Sequence, residues 1–145
     1  MSDPYHAEQG EIPEPYREIL EQPSFGHVAT IDPDGWPQVT PVWVDHDDGR
    51  AVLINTLEGR RKERNLRRDP RASISVLDPE NPYRYLTVRG EVSMTTEGAS
   101  DHIDQLARKY LDVERYPHHD EEEGNRVIVR IPATRVITRG RSADR

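Results

Sequence analysis

Apolar and polar positions change period several times along the chain, and each change marks an element. Tyr16, Ile19 and Leu20 fall at i, i+3 and i+4. That single apolar stripe predicts a short helix over residues 14–22, ended by Pro23. From Phe25 the period drops to two. FGHVATID alternates small or apolar residues with polar ones as far as the turn Pro33-Asp34-Gly35. QVTPVWVDH resumes as a strand, with Val42 and Val44 on one face and Trp43 on the other. Pro41 has no backbone donor, so it implies an edge, a bulge or a position without a ladder partner. Asp47-Asp48-Gly49 is a second turn, and AVLINT follows as a third strand. Three strands joined by tight turns make an antiparallel meander.

Gly59 then breaks the strand, residues 60–68 favour a helix, and Asp69-Pro70 stops it. Ala72, Ile74 and Val76 alternate in a fourth strand. A turn over residues 78–82 leads into a long fifth strand, YRYLTVRGEVSM, in which Tyr83, Tyr85, Thr87 and Arg89 face opposite to Arg84, Leu86 and Val88. Residues 95–112 form a helix with Ile103, Leu106, Ala107, Tyr110 and Leu111 on one face. PHHDEEEGN is a polar loop before the final strand, RVIVRI. No repeat recurs at periods of about 20–50 residues. Six strands in short meanders, without β-α-β alternation, predict a mainly β fold with α (α+β). The expected architecture is a closed or nearly closed six-stranded antiparallel barrel with flanking helices, not a parallel nucleotide-binding sheet. Residues 1–12 read as a flexible arm, 13–140 as the domain and 141–145 as a tail.

Composition adds a second chain to this picture. The protein has 145 residues, of which 33% are hydrophobic. Leu, Ile, Val and Phe sit just above the level of about 20% at which disorder sets in. So thin a core suggests apolar surface buried against another copy, and a homodimer is expected. No run approaches the roughly 18 apolar residues of a membrane span, and MSDPYHAEQGEIPEP holds no apolar signal segment. The absence of cysteine excludes disulfides, thiolate metal sites and a cysteine nucleophile. A cytoplasmic location is expected. The net charge of −7 argues against nucleic acid as a general partner.

Against that acidity, residues 60–71 hold Arg60, Arg61, Lys62, Arg64, Arg67, Arg68 and Arg71, opposed only by Glu63 and Asp69. Arg60 and Lys62 open a helix just after a strand end. Free amides and the positive end of the helix dipole meet there, and the cations repel that end. A bound phosphate relieves the repulsion and uses the amides, with the Thr56 hydroxyl as a further donor. The bland alternative is a solvated helix face with pairs such as Glu63 with Arg67. Arg64, Arg67 and Arg68 fit that description, and Asn65 and Leu66 read as structural. No glycine-aromatic RNA-binding signature accompanies the patch. Nor does the chain show a nucleophile with its base, or an H-E-x-x-H metal pattern. His118-His119 and the acids after them read as a solvated loop, so no metal is expected; His27 and His46 receive no role.

The order of FGHVATIDPDGWPQVTPVWV, NTLEGRRKERNLRRDPRASISV and NPYRYLTVRGEV resembles the pyridoxamine-phosphate-oxidase-like split-barrel flavoproteins. More narrowly, it resembles the branch that uses the deazaflavin F420. The likeness spans roughly residues 20–140, and the G-R-x-K-x-R-N-L-R-R-D-P-R block is its most specific part. It implies an FMN-binding type of split barrel with the cofactor in a cleft between two protomers. Arg60, Arg61 and Lys62 match the residues that hold the cofactor phosphate, and Asn55 and Thr56 the strand end beside it. Gln38, Val39, Thr40, Pro41 and Val42 match the strand along the ring system. Tyr83 and Tyr85 match aromatic positions bordering the cleft, with packing as their alternative. Trp43 is assigned to packing, with the cleft wall as its alternative.

The resemblance implies an F420H2-dependent oxidoreductase passing hydride between the deazaflavin and a small unsaturated organic substrate. Such a reaction needs a flat ring held in dry surroundings and few acid or base groups. The F420 phosphate and polyglutamate tail call for a cationic track, which Arg60, Arg61 and Lys62 supply with Arg64 beyond them. The alternatives are an FMN-dependent oxidoreductase with the same phosphate site, or a carrier that binds a flavin or deazaflavin without turnover. Pyridoxine-phosphate oxidation itself is not expected, because the Arg-x-His motif of that branch is missing from VITRGRSADR.

Overall fold

The two-residue periods become two antiparallel sheets in the computed structural model, which describes residues 6–8 and 10–140. In chain order the elements are β1 (His6–Glu8), α1 (Glu14–Glu21), β2 (Phe25–Ile31), β3 (Pro37–Trp43), β4 (Asp45–His46), β5 (Ala51–Leu57), α2 (Arg61–Arg68) and β6 (Arg71–Asp78). They continue with β7 (Asn81–Glu91), β8 (Ser93–Thr95), α3 (Ala99–Leu111), a 3-10 turn (His119–Glu121), β9 (Arg126–Pro132) and β10 (Arg135–Arg139). One sheet runs β1-β10-β7-β6-β2-β3 and the other β4-β5-β9-β8. The hydrogen-bonded ladders therefore do not close into the single six-stranded barrel expected from the sequence.

The division has a local cause. Two stretches read as continuous strands each change sheets midway. Between β3 and β4 lies Val44, whose side chain is fully buried. Its amide donates to the Tyr110 hydroxyl at 2.8 Å, and its carbonyl accepts from Lys109 Nζ at 2.6 Å. Side chains of α3 thus replace the neighbouring strand at that residue. Between β7 and β8 the Val92 amide turns to the Pro70 carbonyl at 2.8 Å. Both groups stay satisfied while the ladder ends, as buried backbone requires.

The core follows the alternation. Val28, Ile74, Val76, Leu86 and Val88 from one sheet meet Val52, Ile54, Val127, Val129 and Ile131 from the other, each at most 1% exposed. Ile19 and Leu20 close one end and Leu66 docks α2. Arg84 shares the inward face of β7 with Leu86 and is fully buried, paired with Asp78 at 3.0 Å and Glu18 at 2.9 Å. Part of the segment expected as a flexible arm is paired: β1 lies antiparallel to β10, and Ile12 is fully buried, its amide donating to Gly49. Residues 1–5 and 9, and the 141–145 tail, lie outside the described residues. The outward face of β2, β3, β6 and β7 carries exposed Phe25, Val39, Leu77 and Tyr83. Among the described residues no helix is long and apolar enough to cross a membrane.

Candidate functional site

α2 begins where β5 ends, so the strand end and the first helical turn share one rim. Arg60 is the N-cap residue in extended conformation, and no side chain caps the helix. The first amides of a helix have no intrahelical acceptor. Glu63 reaches back instead to the Gly59 amide at 2.8 Å and pairs with Arg67. That contact anchors the turn and leaves the start of the helix open to a ligand.

Beside this rim lies a cavity of about 470 Å³. Phe25, Pro41, Val42 and Trp43 line it from β2 and β3, Ile103, Leu106 and Leu111 from α3, and Tyr116 and His118 from the following loop; Asn55, Arg60, Lys62 and Arg126 complete the wall. One side is thus apolar and aromatic, the other cationic. Trp43 stacks on Tyr110 with ring centres 5.1 Å apart and planes 11° from parallel. Tyr116 meets Trp43 edge to face at 6.4 Å, and Arg126 lies over the Tyr116 ring at 4.6 Å.

The charges are unevenly matched. Glu122 accepts from Arg60 Nη2 at 3.1 Å, from Arg126 Nη2 at 2.5 Å and from the Tyr116 hydroxyl at 3.1 Å. Lys62 has no carboxylate or hydrogen-bond partner among the described residues. Burial, then repulsion from Arg60 and Arg126, pushes its ammonium below the ordinary lysine range. A half-buried cation next to two others, with one carboxylate among the three, is an arrangement that an anion stabilises. Burial also raises the Tyr116 hydroxyl, so it stays protonated as a donor.

The residues singled out from the sequence divide clearly. Pro41, Val42, Asn55, Arg60 and Lys62 meet at the cavity, and Trp43 lines it while also packing. Arg61 turns away and binds Asp32 through two hydrogen bonds of 3.0 and 2.8 Å. The Asn65 amide and that guanidinium hold Asp32 below the usual carboxylate range. Thr56 is buried on the inner side of β5, its hydroxyl without a partner. Gln38 and Thr40 are half-buried on β3, and Val39 is exposed on its outer face. Tyr83, 82% exposed, and half-buried Tyr85 stand on β7, outside the cavity lining. His118 pairs with Glu121 at 2.9 Å and His119 with Asp104 at 2.6 Å.

Arg126, Tyr116, Phe25 and the α3 residues were not legible as site residues. Arg126 heads an alternating strand and reads as its polar edge, while Tyr116 sits in a loop without period. The one signal was Leu111, which prolongs the apolar stripe of α3 past its buried part and is 47% exposed.

The family model for pyridoxamine 5'-phosphate oxidase matches residues 12–140. An F420 reductase of known structure is 37% identical, with a TM-score of 0.72, over 86% of this chain and 98% of that one. A conserved hypothetical protein from Mycobacterium tuberculosis is 28% identical, with a TM-score of 0.69, over 85% and 81%. A candidate pyridoxamine 5'-phosphate oxidase from Lactobacillus delbrueckii shares the fold at 16% identity, with a TM-score of 0.61, over 88% and 93%.

Proposed function

The chain belongs to the pyridoxamine 5'-phosphate oxidase family, and on that premise we propose that it is an oxidoreductase that uses F420. In this reading it passes hydride between the reduced deazaflavin and a small unsaturated organic molecule. The observation that carries the reading is Lys62, a half-buried ammonium without a counter-ion among the described residues, beside Arg60 and the uncapped start of α2. Those groups fit a phosphate, since a helix N-terminus and flanking cations both favour an anion. Opposite them, Val42, Pro41, Trp43, Ile103 and Leu106 fit a flat, largely apolar ring. The 37% identical F420 reductase favours the deazaflavin as the ring in question.

Each part of the wall then has a task. Arg60, Lys62 and the first amides of α2 hold the phosphate. Arg61 ties the start of α2 to Asp32, which steadies those amides. Pro41, Val42 and Asn55 border the ring, and the aromatic wall keeps water from it. When bound, F420 supplies the hydride, so the protein contributes orientation and a dry surface. A second copy of the chain covers the outward face that carries Phe25, Val39 and Tyr83. Because Phe25 belongs to both that face and the cavity, dimerisation closes the cavity's open side. Gln38, Val39, Thr40, Tyr83 and Tyr85 act in this reading at the subunit boundary, and Thr56 supports the rim from within.

FMN is the second reading, favoured by the family match and served by the same phosphate grip. Fluorescence titration of the purified protein with F420 and with FMN separates the two. Saturable F420 binding with weak FMN binding, followed by F420H2 oxidation on adding enoate or quinone acceptors, is the expected result. The reverse preference assigns the FMN chemistry. Binding without any turnover identifies a carrier, and binding of neither removes the proposal.

A further inference from the structure

A hydrogen-bonded chain leads from the cavity into the protein. Arg126 Nη1 donates to Asn55 Oδ1 at 3.3 Å, and Asn55 Nδ2 donates to the Ala99 carbonyl at 2.9 Å. These two contacts orient the amide from opposite ends. Asn55 Nδ2 also lies 3.0 Å from His102 Nδ1. An amide nitrogen only donates, so His102 Nδ1 must present its lone pair and the proton must sit on Nε2. Nε2 is directed at Asp45 Oδ2, 3.4 Å away and too poorly aligned for a full hydrogen bond. His102 is 6% exposed and Arg126 8% exposed, so water cannot readily replace either contact.

We propose that His102 is a positioning residue: through Asn55, its neutral Nε2–H form orients Nη1 of the Arg126 guanidinium at the cavity, and its protonation breaks that chain. The polarity of the chain allows no form protonated at Nδ1 in which every contact survives. A proton on Nδ1 faces the Asn55 amide nitrogen, donor against donor. Turning the amide relieves that clash only by presenting Nδ2 to Arg126, which repeats the conflict at the other end, and it takes the donor from Ala99. Asn55 therefore either loses its contact with His102 or loses its contact with Arg126.

The carboxylates around the chain keep their charge while an imidazole titrates, and Lys109 begins to lose its proton only at the top of that range. Asp45 on β4 faces Nε2. Burial opposes its ionisation, yet His102 and the His46 amide hold its carboxyl below the usual range. Lys109, on the same helix as His102 and close to Asp45, is pushed by burial down to about 8, at the upper edge of the window. Glu122 grips the far side of Arg126 through Nε and Nη2. Burial works against its charge, but Arg126 outweighs it and keeps the carboxyl low. Histidine is the ordinary side chain that changes charge between about pH 5 and 8.

The step rests on the reading of the cavity as an anion site only for its effect on ligand. The test has one arm for each. Nitrogen NMR of the full chain reads the His102 tautomer and follows the Arg126 Nε–H resonance with pH. We expect a neutral ring bare at Nδ1, and an Arg126 resonance that moves with the His102 midpoint. His102→Asn places an oxygen acceptor near the Nδ1 position and should leave Arg126 indifferent to pH. Asn55→Asp, with acceptors at both ends, should shift the His102 step upward. Sulfate, which keeps one charge state over this range, is the ligand probe. Its affinity should weaken about threefold to tenfold on acidification in the wild type and stay level in His102→Asn.

A neutral ring protonated at Nδ1, an Arg126 resonance unmoved through the His102 step, or a step that persists in His102→Asn each overturns the proposal. The wild-type measurement decides even if a variant fails to fold. Intact NMR coupling with no binding of sulfate, F420 or FMN would remove the proposed function alone. Cofactor binding without the coupling would remove this inference alone.

Discussion

Replacing Lys62 by Met separates a ligand-holding cation from a structural one. Methionine keeps most of the unbranched stem and deletes the ammonium, so packing changes little. Among the described residues that ammonium has no carboxylate partner, and it stands near Arg60 and Arg126. Its removal should therefore leave stability unchanged or raise it. The sign follows from linkage. Lys62 titrates lower when folded than when unfolded, so its burial costs stability below the folded value, and the cost fades as pH rises toward the unfolded one. Cofactor affinity should move the other way. A charge-assisted hydrogen bond contributes on the order of 1.5–3 kcal/mol. Lys62 is only half-buried, and Arg60 and Arg126 remain, so the lower end applies, a weakening of about tenfold. Urea melts give the stability and fluorescence titration with F420 and FMN gives the affinity. Unchanged affinity for whichever cofactor binds, or a stability loss above about 1 kcal/mol, a typical cost for removing a structural contact, would refute the reasoning.

Other substitutions probe the frame around the cavity. Arg84→Ala strips the cation from the fully buried Asp78. It should cost about 3–5 kcal/mol in chemical denaturation; a loss under 1 kcal/mol would show that the pair is not held as described. Gly90→Ala would bring a Cβ within 2.6 Å of the Pro132 carbonyl. Overpacking of this kind costs about 1–3 kcal/mol, and a neutral result in thermal melts would argue against so close a strand approach. Alkaline pH tests the α3 crossing. Lys109 is pushed to about 8 and the Tyr110 hydroxyl up to about 12, both first by burial. Between pH 8 and 10 the unfolded chain holds the lysine proton that the folded chain has shed, so stability should rise. Above 10 the unfolded tyrosine ionises first and stability should fall. In Lys109→Met the rise should vanish from denaturation curves collected across that range.

Much of this was present in the order of residues. Periods of two and 3.6 are local properties, because side chains alternate across a strand and recur every turn of a helix. The shared face of Arg84, Leu86 and Val88 and the stripe of Ile19 and Leu20 were therefore legible, as were the three helices. The seven cations between residues 60 and 71 pointed to the start of α2 as a candidate anion site before any contact was known. Spatial neighbours are a different matter. The exchange of sheets at Val44 depends on Tyr110 and Lys109, some 65 residues further on, capturing its backbone groups. Pairing of β1 with β10 joins opposite ends of the chain. Arg61 and Lys62 look alike in sequence, yet one is bound by Asp32 and the other lines the cavity without a partner among the described residues. Arg126 joins Lys62 only because β9 lies beside β5. The sequence by itself determined which segments bury and where cations gather, since both follow from near neighbours along the chain. Only the tertiary structure decided which of those cations share a cavity, because the distances that set their energies run through space between distant segments.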